Sequence, residues 1–193
     1  MKIGNRAALI VVDVQNDFCP GGALAVPEGD QVVPVLNEYI QTFLGKKAPI
    51  YATRDWHPAD HVSFREQGGI WPPHCVQGTK GADFYPSLTL PEEAVILSKG
   101  SDPKEEAYSG FQGTGLGARL KRQGIRRLFI GGLATDYCVK HTVLDALGEG
   151  FETVLLRDAA KGVEAKTGDT ERALSEMAEA GAYSVIRGEL KSE

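Results

Sequence analysis

Three ionisable residues each come just after an apolar run of the sequence. Asp13 follows Ala-Leu-Ile-Val-Val, Lys99 follows Val-Ile-Leu-Ser, and Cys138 comes shortly after the run that ends at Gly131. In open parallel sheets, ligands bind beyond the carboxyl ends of the strands, so residues placed there face a cleft rather than the core. We therefore expect the carboxylate, the amine and the thiol to converge at one edge of a sheet.

A thiol, a carboxylate and an amine in contact can perform nucleophilic catalysis. We expect Thr135 or Asp136 to cap the helix that contains Cys138, which would place the thiol in the first turn, where unpaired N–H groups favour a thiolate. Asp13 could then accept the thiol proton as general base and return it to a leaving amine. Lys99 would keep the Asp13 carboxylate ionised and orient it.

The turn that contains Cys138 also offers backbone N–H groups, those of Ala134 and Cys138, to a developing oxyanion. A simpler alternative makes Cys138 a small core residue, as most free cysteines are, and makes Asp13 and Lys99 a buried ion pair. For each residue alone this alternative is favoured. Convergence of all three at one sheet edge favours catalysis for the set.

A second group of residues has the pattern of a metal site. Asp55 and His57 lie two residues apart at the end of an apolar run, so their side chains project to the same face, and His74 can complete the set from a loop. Two imidazoles and a carboxylate suit zinc, iron(II) or manganese and leave positions open, which is typical of a catalytic ion. His61 or Glu66 could be a further ligand, but a solvent-facing loop position is the favoured interpretation of both.

Six apolar runs of strand length supply the elements that must position these residues. They cover 8–14, 49–53, 94–98, 127–131, 153–156 and 183–186. Several are apolar nearly throughout, which is typical of parallel strands covered on both faces. Four segments between them predict helices, at 30–47, 116–123, 136–147 and 166–180. This alternation predicts an α/β fold, a three-layer, doubly wound, mostly parallel six-stranded sheet with helices on both faces, in a single domain over residues 1–193.

Glycines and loops punctuate this pattern. Gly124, Gly148 and Gly181 are expected to end the last three helices in the left-handed conformation. Long loops at 56–85 and 100–115 interrupt the alternation, and loops of this length in a compact domain are usually functional. A glycine-rich stretch at 113–117 does not follow a strand directly, so it does not predict a dinucleotide site.

The composition and net charge of the chain indicate which kind of binding partner to expect. The chain has 193 residues, 42% apolar and 24% charged, with a net charge of −5, so no overall field attracts nucleic acid or an anionic membrane, and a small-molecule substrate is expected. No apolar stretch approaches the ~18 residues of a membrane span, so we expect a cytoplasmic protein; a homo-oligomer remains allowed. Three cysteines are too few for a disulfide framework, and Cys19 and Cys75 are interpreted as structural.

Six short motifs occur in order along almost the whole chain. They are Asp13-Val-Gln-Asn-Asp-Phe18, Asp55-Trp-His-Pro58, Trp71-Pro-Pro-His-Cys-Val-Gln77, Ser98-Lys-Gly100, Tyr108-Ser-Gly-Phe111 and Gly132-Leu-Ala-Thr-Asp-Tyr-Cys-Val139. Together they resemble the nicotinamidases (pyrazinamidases) of the isochorismatase-like cysteine hydrolase superfamily. The combination of acid, lysine and cysteine with Asp-x-His is more specific than either pattern alone.

The resemblance implies roles for the matching positions. A catalytic triad would comprise Asp13, Lys99 and Cys138. One divalent ion, zinc in the first place with iron or manganese as alternatives, would hold the pyridine nitrogen of the substrate and would itself be bound by Asp55, His57 and His74. Some relatives place a third histidine on the metal, which leaves the role of His61 open.

The resemblance also describes the pocket. It implies a cis peptide bond between Leu133 and Ala134 that would aim the Ala134 N–H into the oxyanion site. The substrate-binding set would be Phe18, Trp71, Tyr108, Leu133, Ala134 and Tyr137. Aromatic walls suit a flat heteroaromatic ring, although any of these rings could equally be core packing.

The predicted reaction is hydrolysis of nicotinamide, with pyrazinamide as a second candidate substrate, to the acid and ammonia, a step of NAD salvage. It would pass through a thioester on Cys138, with Asp13 protonating ammonia and then activating water. One alternative is an amidase of the same superfamily with a different small amide, but relatives of that kind generally lack the Asp-x-His ligands. An iron(II) oxygenase would leave the triad without a role, and a catalytically silent binding module is the third alternative.

Overall fold

The structure is a computed structural model that describes residues 1–190. Six strands form one sheet in the order β3-β2-β1-β4-β5-β6, and every adjacent pair is parallel. The strands are β1 (Ala7–Val12), β2 (Ile50–Asp55), β3 (Val95–Lys99), β4 (Arg127–Leu133), β5 (Glu152–Lys161) and β6 (Tyr183–Val185). The predicted α/β fold with a six-stranded sheet is confirmed.

Helices cover both faces of this sheet. They are α1 (Val32–Gly45), α2 (Leu116–Arg122), α3 (Lys140–Gly148) and α4 (Asp169–Glu179). α1 packs on one face, in a core cluster with β1, β4 and β5, while α2, α3 and α4 contribute to the cluster on the other face. None of the helices in residues 1–190 is long and apolar enough to cross a membrane.

The central strand β1 shows why the sequence forms this sheet. All six of its residues are buried, and successive side chains alternate between the two core clusters. Leu9 and Val11 join the cluster that contains α1, whereas Ile10 and Val12 join the opposite one. Burying each such side chain contributes about 1.5–3 kcal/mol, so a strand apolar on both faces is stable only between two helical layers.

Three details differ from the sequence prediction. β5 extends to Lys161 because its pairing with β4 resumes after a register shift, at Gly132 opposite Ala160. The predicted helix 136–147 is divided into a π-helical turn, Thr135–Val139, followed by α3. Gly148 lacks the predicted left-handed conformation, which Gly150 adopts instead at φ 87°, while Gly124 and Gly181 adopt it as predicted.

The strand order places a crevice between β1 and β4. From β1 the chain adds strands in one direction, to β2 and β3, and from β4 it adds them in the other, to β5 and β6. Ligands of open α/β sheets bind at the carboxyl ends of the strands where the order reverses in this way. Asp13 directly follows β1, and Cys138 lies in the turn that follows β4.

Candidate active site

Asp13, Lys99 and Cys138 meet at this crevice. Lys99 Nζ lies 2.9 Å from Asp13 Oδ2 and 3.4 Å from Cys138 Sγ. All three residues are buried. The structure therefore brings together the base, the amine and the thiol that the sequence placed at three separate strand ends.

The backbone of Asp13 ends β1 in an unusual conformation. Asp13 has φ 49°, the left-handed region that non-glycine residues enter at a typical cost of about 1–3 kcal/mol and that is common at functional sites. Thr53 on β2 accepts a hydrogen bond from the Asp13 N–H at 3.2 Å and donates its hydroxyl to Asp13 Oδ1 at 2.7 Å. Sequence reasoning missed Thr53; its signal was a hydroxyl within an otherwise apolar strand.

The ammonium of Lys99 also contacts a second carboxylate. The register of β2 and β3 sets Asp55 opposite Lys99, and Lys99 Nζ donates to Asp55 Oδ1 and, at 3.0 Å, to the Ala107 carbonyl. Lys99 therefore links the predicted catalytic residues to the predicted metal ligands. The sequence prediction did not include this contact.

The surroundings of the Cys138 thiol change its pKa in opposing ways. Burial raises the pKa of Cys138 well above its usual value; Lys99 opposes this rise, and the carboxylate of Asp13 adds to it. Burial also raises the pKa of Asp13 by more than the Lys99 ion pair lowers it. Burial thus raises the pKa of the thiol where the sequence predicted a lowered one, and the adjacent Asp13 carboxylate, whose pKa is also raised, is placed to accept the thiol proton.

The expected helix cap is also wrong. The π-helical turn begins after Ala134 with no side-chain cap. Asp136 instead accepts hydrogen bonds from the N–H groups of Val163 and Glu164, both at 2.9 Å, and so ties the turn to the segment after β5. The peptide bond between Leu133 and Ala134 is cis, as the resemblance implied.

Asp55, His57 and His74 form a second buried cluster. Asp55 Oδ2 lies 3.4 Å from His57 Nε2 and 3.8 Å from His74 Nε2, and one ligand atom of each residue lies within 4.8 Å of the other two. Burial raises the pKa of Asp55, but Lys99 and the two histidines lower it by more, so this pKa stays well below its usual value. Because Lys99 occupies Oδ1, the other carboxylate oxygen faces the histidines.

The histidines of this cluster are oriented as metal ligands are. His57 Nδ1 is 2.9 Å from the Gly100 carbonyl and His74 Nδ1 is 2.8 Å from the Pro72 carbonyl, so Nδ1 of each ring donates its proton and leaves Nε2 free to bind. Gly100 has φ 61°, and a Cβ there would overlap the His57 ring. When deprotonated, two imidazole nitrogens together with one carboxylate oxygen are a donor set that suits a divalent ion such as zinc.

His61 and Glu66 lie outside this cluster. His61 is buried, with Nδ1 2.7 Å from the Ser63 hydroxyl and Nε2 3.1 Å from the Glu105 carbonyl, so both ring nitrogens are occupied. The predicted solvent-facing position is therefore wrong for His61, whereas Glu66 is exposed as predicted. The ring of His61 packs against His57 with centroids 4.1 Å apart, which makes it a supporting residue.

We expect His61→Gln and His74→Gln to differ in zinc binding. His74→Gln removes a free Nε2, so zinc affinity should fall at least about 100-fold, whereas His61→Gln should change it by less than about tenfold because neither nitrogen is available. Competition with a chromogenic chelator measures both constants. Equal losses in the two variants would show that His61 is a ligand.

Asp13, Asp55 and Cys138 also lie within ligand distance of one another. Lys99 Nζ contacts all three of them. Because this ammonium already lies among the three ligand atoms, we interpret the grouping as an ion-pair network rather than a second metal site.

A small pocket opens between the two clusters. It is lined by all the predicted substrate-binding residues, together with Asp55, His74 and Cys138. Its remaining lining residues were missed by sequence reasoning: Leu24, Val26 and Val163. All three are apolar residues in loops, where no periodic pattern marks them. A small, mostly apolar cavity with a few polar groups is typical of small-molecule sites.

Aromatic rings form one wall of this cavity. Trp71 Nε1 donates to the Tyr108 hydroxyl at 2.9 Å, and Trp71 and Tyr137 pack edge to face with centroids 5.2 Å apart. On another side, Phe18 lies 5.6 Å from the ring of His74. The hydrogen bond and the ring contacts fix the wall in place, which favours a flat aromatic ligand.

The fold and the two clusters define an α/β protein with a buried cysteine site beside a candidate metal centre. The Isochorismatase domain model matches residues 7–187, and the chain belongs to this family. The chain is 42% identical to the nicotinamidase of Escherichia coli over 196 residues, covering 91% of this chain and 92% of that protein. It is also 42% identical to the nicotinamidase/pyrazinamidase of Mycobacterium tuberculosis, covering 88% and 93%.

One solved structure is similar to this chain in both sequence and fold. The pyrazinamidase of Pyrococcus horikoshii in complex with zinc is 58% identical, with a TM-score of 0.90, covering 94% of this chain and 99% of that one. The likeness therefore extends over almost the whole of both chains.

Proposed function

We propose that this chain is a nicotinamidase, which hydrolyses nicotinamide to nicotinate and ammonia through a thioester on Cys138. The observation that carries the proposal is the buried contact of Asp13, Lys99 and Cys138 at one end of an aromatic-walled cavity. Relatives named as nicotinamidases at 42% identity support the substrate class.

The first step is proton transfer and attack. Asp13 accepts the thiol proton of Cys138, and the sulfur forms a bond to the carboxamide carbon. The N–H groups of Ala134 and Cys138, both in residues that line the cavity, would hold the oxyanion. Asp13 then gives its proton to the departing ammonia as the C–N bond breaks.

The second step releases the acid. Asp13, again ionised, takes a proton from water as the oxygen attacks the thioester carbon. As the C–S bond breaks, Asp13 returns this proton to the sulfur, which regenerates the thiol and the carboxylate. Lys99 remains charged throughout, since the carboxylates of Asp13 and Asp55 raise its pKa despite burial. It thus holds Asp13 beside the sulfur in both steps.

Asp55, His57 and His74 are proposed to hold one zinc ion, with iron or manganese as alternatives. A bound ion would act as a Lewis acid that holds the ring nitrogen of the substrate. The residues of the chain supply the rest of the pocket, and the Trp71, Tyr108 and Phe18 rings orient the pyridine. Pyrazinamide, which also carries a ring nitrogen, is the second expected substrate.

An ammonia-release assay with nicotinamide tests the function. Benzamide, which lacks the ring nitrogen, serves as the matched substrate. We expect turnover of nicotinamide, at least about tenfold lower kcat/KM for benzamide, and loss of this preference when a chelator removes the metal. Absence of ammonia release from nicotinamide by the zinc-loaded protein would contradict the proposal.

A further inference from the structure

The side chain of Gln15 has no role in the steps above, yet it is fully buried and makes three hydrogen bonds. Its Oε1 accepts the Asp55 N–H at 2.8 Å, and its Nε2 donates to the Asp55 carbonyl at 2.8 Å and to the Ala82 carbonyl at 2.9 Å. The carboxamide thus binds both polar groups of one backbone residue, which is a residue of the candidate metal centre.

The ladder between β1 and β2 explains why this backbone residue needs such a partner. Pairing of the two strands ends at Val12 opposite Thr53, because the left-handed Asp13 turns the chain out of the strand. The Thr53 carbonyl still receives the Asp13 N–H, but two residues further along β2 the N–H and carbonyl of Asp55 have no backbone partner on β1. Buried backbone groups left unpaired would destabilise the fold.

We propose that Gln15 is the positioning residue of the metal centre. Its carboxamide takes the place of the next peptide group of β1 and fixes the backbone of Asp55, so that Asp55 Oδ2 faces His57 and His74 while Oδ1 stays on Lys99. The inference rests on the proposed function, because it assigns a metal to that centre.

The conformation of β1 links this role to catalysis. The left-handed turn that brings the Asp13 carboxylate to Lys99 also removes the backbone partner of Asp55. The positive φ of Asp13 thus places the catalytic base and also leaves the backbone of Asp55 without a partner on β1. The side chain of Gln15, two residues later, supplies the missing hydrogen bonds. The Ala82 hydrogen bond further holds the loop that packs against this turn.

Zinc affinity of Gln15 variants tests the proposal. Gln15→Met keeps the length of the side chain and removes all three hydrogen bonds, whereas Gln15→Glu keeps the acceptor for the Asp55 N–H and loses both donated bonds. We expect zinc affinity, measured by chelator competition without substrate, to fall about 10–100-fold in Gln15→Met. At saturating zinc, kcat should return to within about threefold of the wild-type value, because the triad is intact.

Asn37→Leu is the matched control. Asn37 makes a two-point clamp outside both clusters and the pocket, accepting the Thr89 N–H and donating to the Ser87 carbonyl, so its loss should lower stability but not zinc affinity. Zinc affinity within twofold of wild type in Gln15→Met would overturn the proposal. If that variant does not fold, Gln15→Glu decides by the same criterion. Failure of both to fold beside a folded control would also overturn it, since Gln15 would then hold the fold. Nicotinamide turnover by the wild type is measured separately, so failure of the proposed function is distinguishable.

Discussion

Replacing Cys138 with alanine is expected to abolish ammonia release from nicotinamide while leaving zinc content unchanged. The sulfur is the only thiol in contact with Lys99 among residues 1–190. Without it, Asp13 could still activate water, but the covalent intermediate would be lost. We expect kcat to fall at least about 10⁴-fold, as in other enzymes that lose their nucleophile.

The matched control for this prediction is Cys19→Ala. Cys19 is also buried, but it belongs to the core cluster that includes residues of α1 and does not line the pocket. This variant should keep turnover within about threefold of wild type, because only packing is changed. Retained turnover in Cys138→Ala, with a fold confirmed by circular dichroism, would refute the nucleophile assignment.

Replacing Lys99 with methionine is expected to damage both activity and stability. Its ammonium is buried and is shared by Asp13 and Asp55, so removing it leaves two carboxylates close together without a counterion. Removing one partner of a buried ion pair typically costs about 3–5 kcal/mol, and we expect a loss of this size in the free energy of unfolding of the metal-free protein. We expect kcat to fall at least about 10³-fold, because Asp13 would become protonated and lose its orientation.

Urea unfolding in the presence of chelator measures the loss of stability. Lys121→Met is the control, because Lys121 pairs with Glu149 at 2.7 Å on the surface, where such pairs contribute about 0–1 kcal/mol. A stability change in Lys99→Met as small as that of the control would contradict the proposed network.

The sequence predicts which residues lie in the site better than it predicts the contacts between them. Asp13, Lys99 and Cys138 could be placed at one sheet edge because each lies at or beyond the carboxyl end of a strand, and these ends lie together in a parallel sheet. The Asp-x-His pair could be placed because alternate residues of a strand share a face. These arguments need only local periodicity.

The features that the sequence could not predict depend on strand order, on one backbone angle and on a contact with a distant loop. The contact of Lys99 with Asp55 requires β2 and β3 to be neighbours in a particular register. The clamp of Gln15 requires the positive φ of Asp13, which the Asp13-Val-Gln pattern does not reveal. The buried state of His61 depends on the loop near Glu105, which is distant in sequence.

The most direct test of the proposed mechanism is to trap the thioester intermediate on Cys138. Nicotinamide is mixed with the zinc-loaded protein, the reaction is quenched with acid within milliseconds, and the digested protein is analysed by mass spectrometry. We expect a nicotinoyl group on the peptide that contains Cys138, and its absence when hydroxylamine is added before digestion, since hydroxylamine cleaves thioesters. Release of nicotinate with no acyl group on Cys138 at any time during a measured pre-steady-state burst would contradict the central claim.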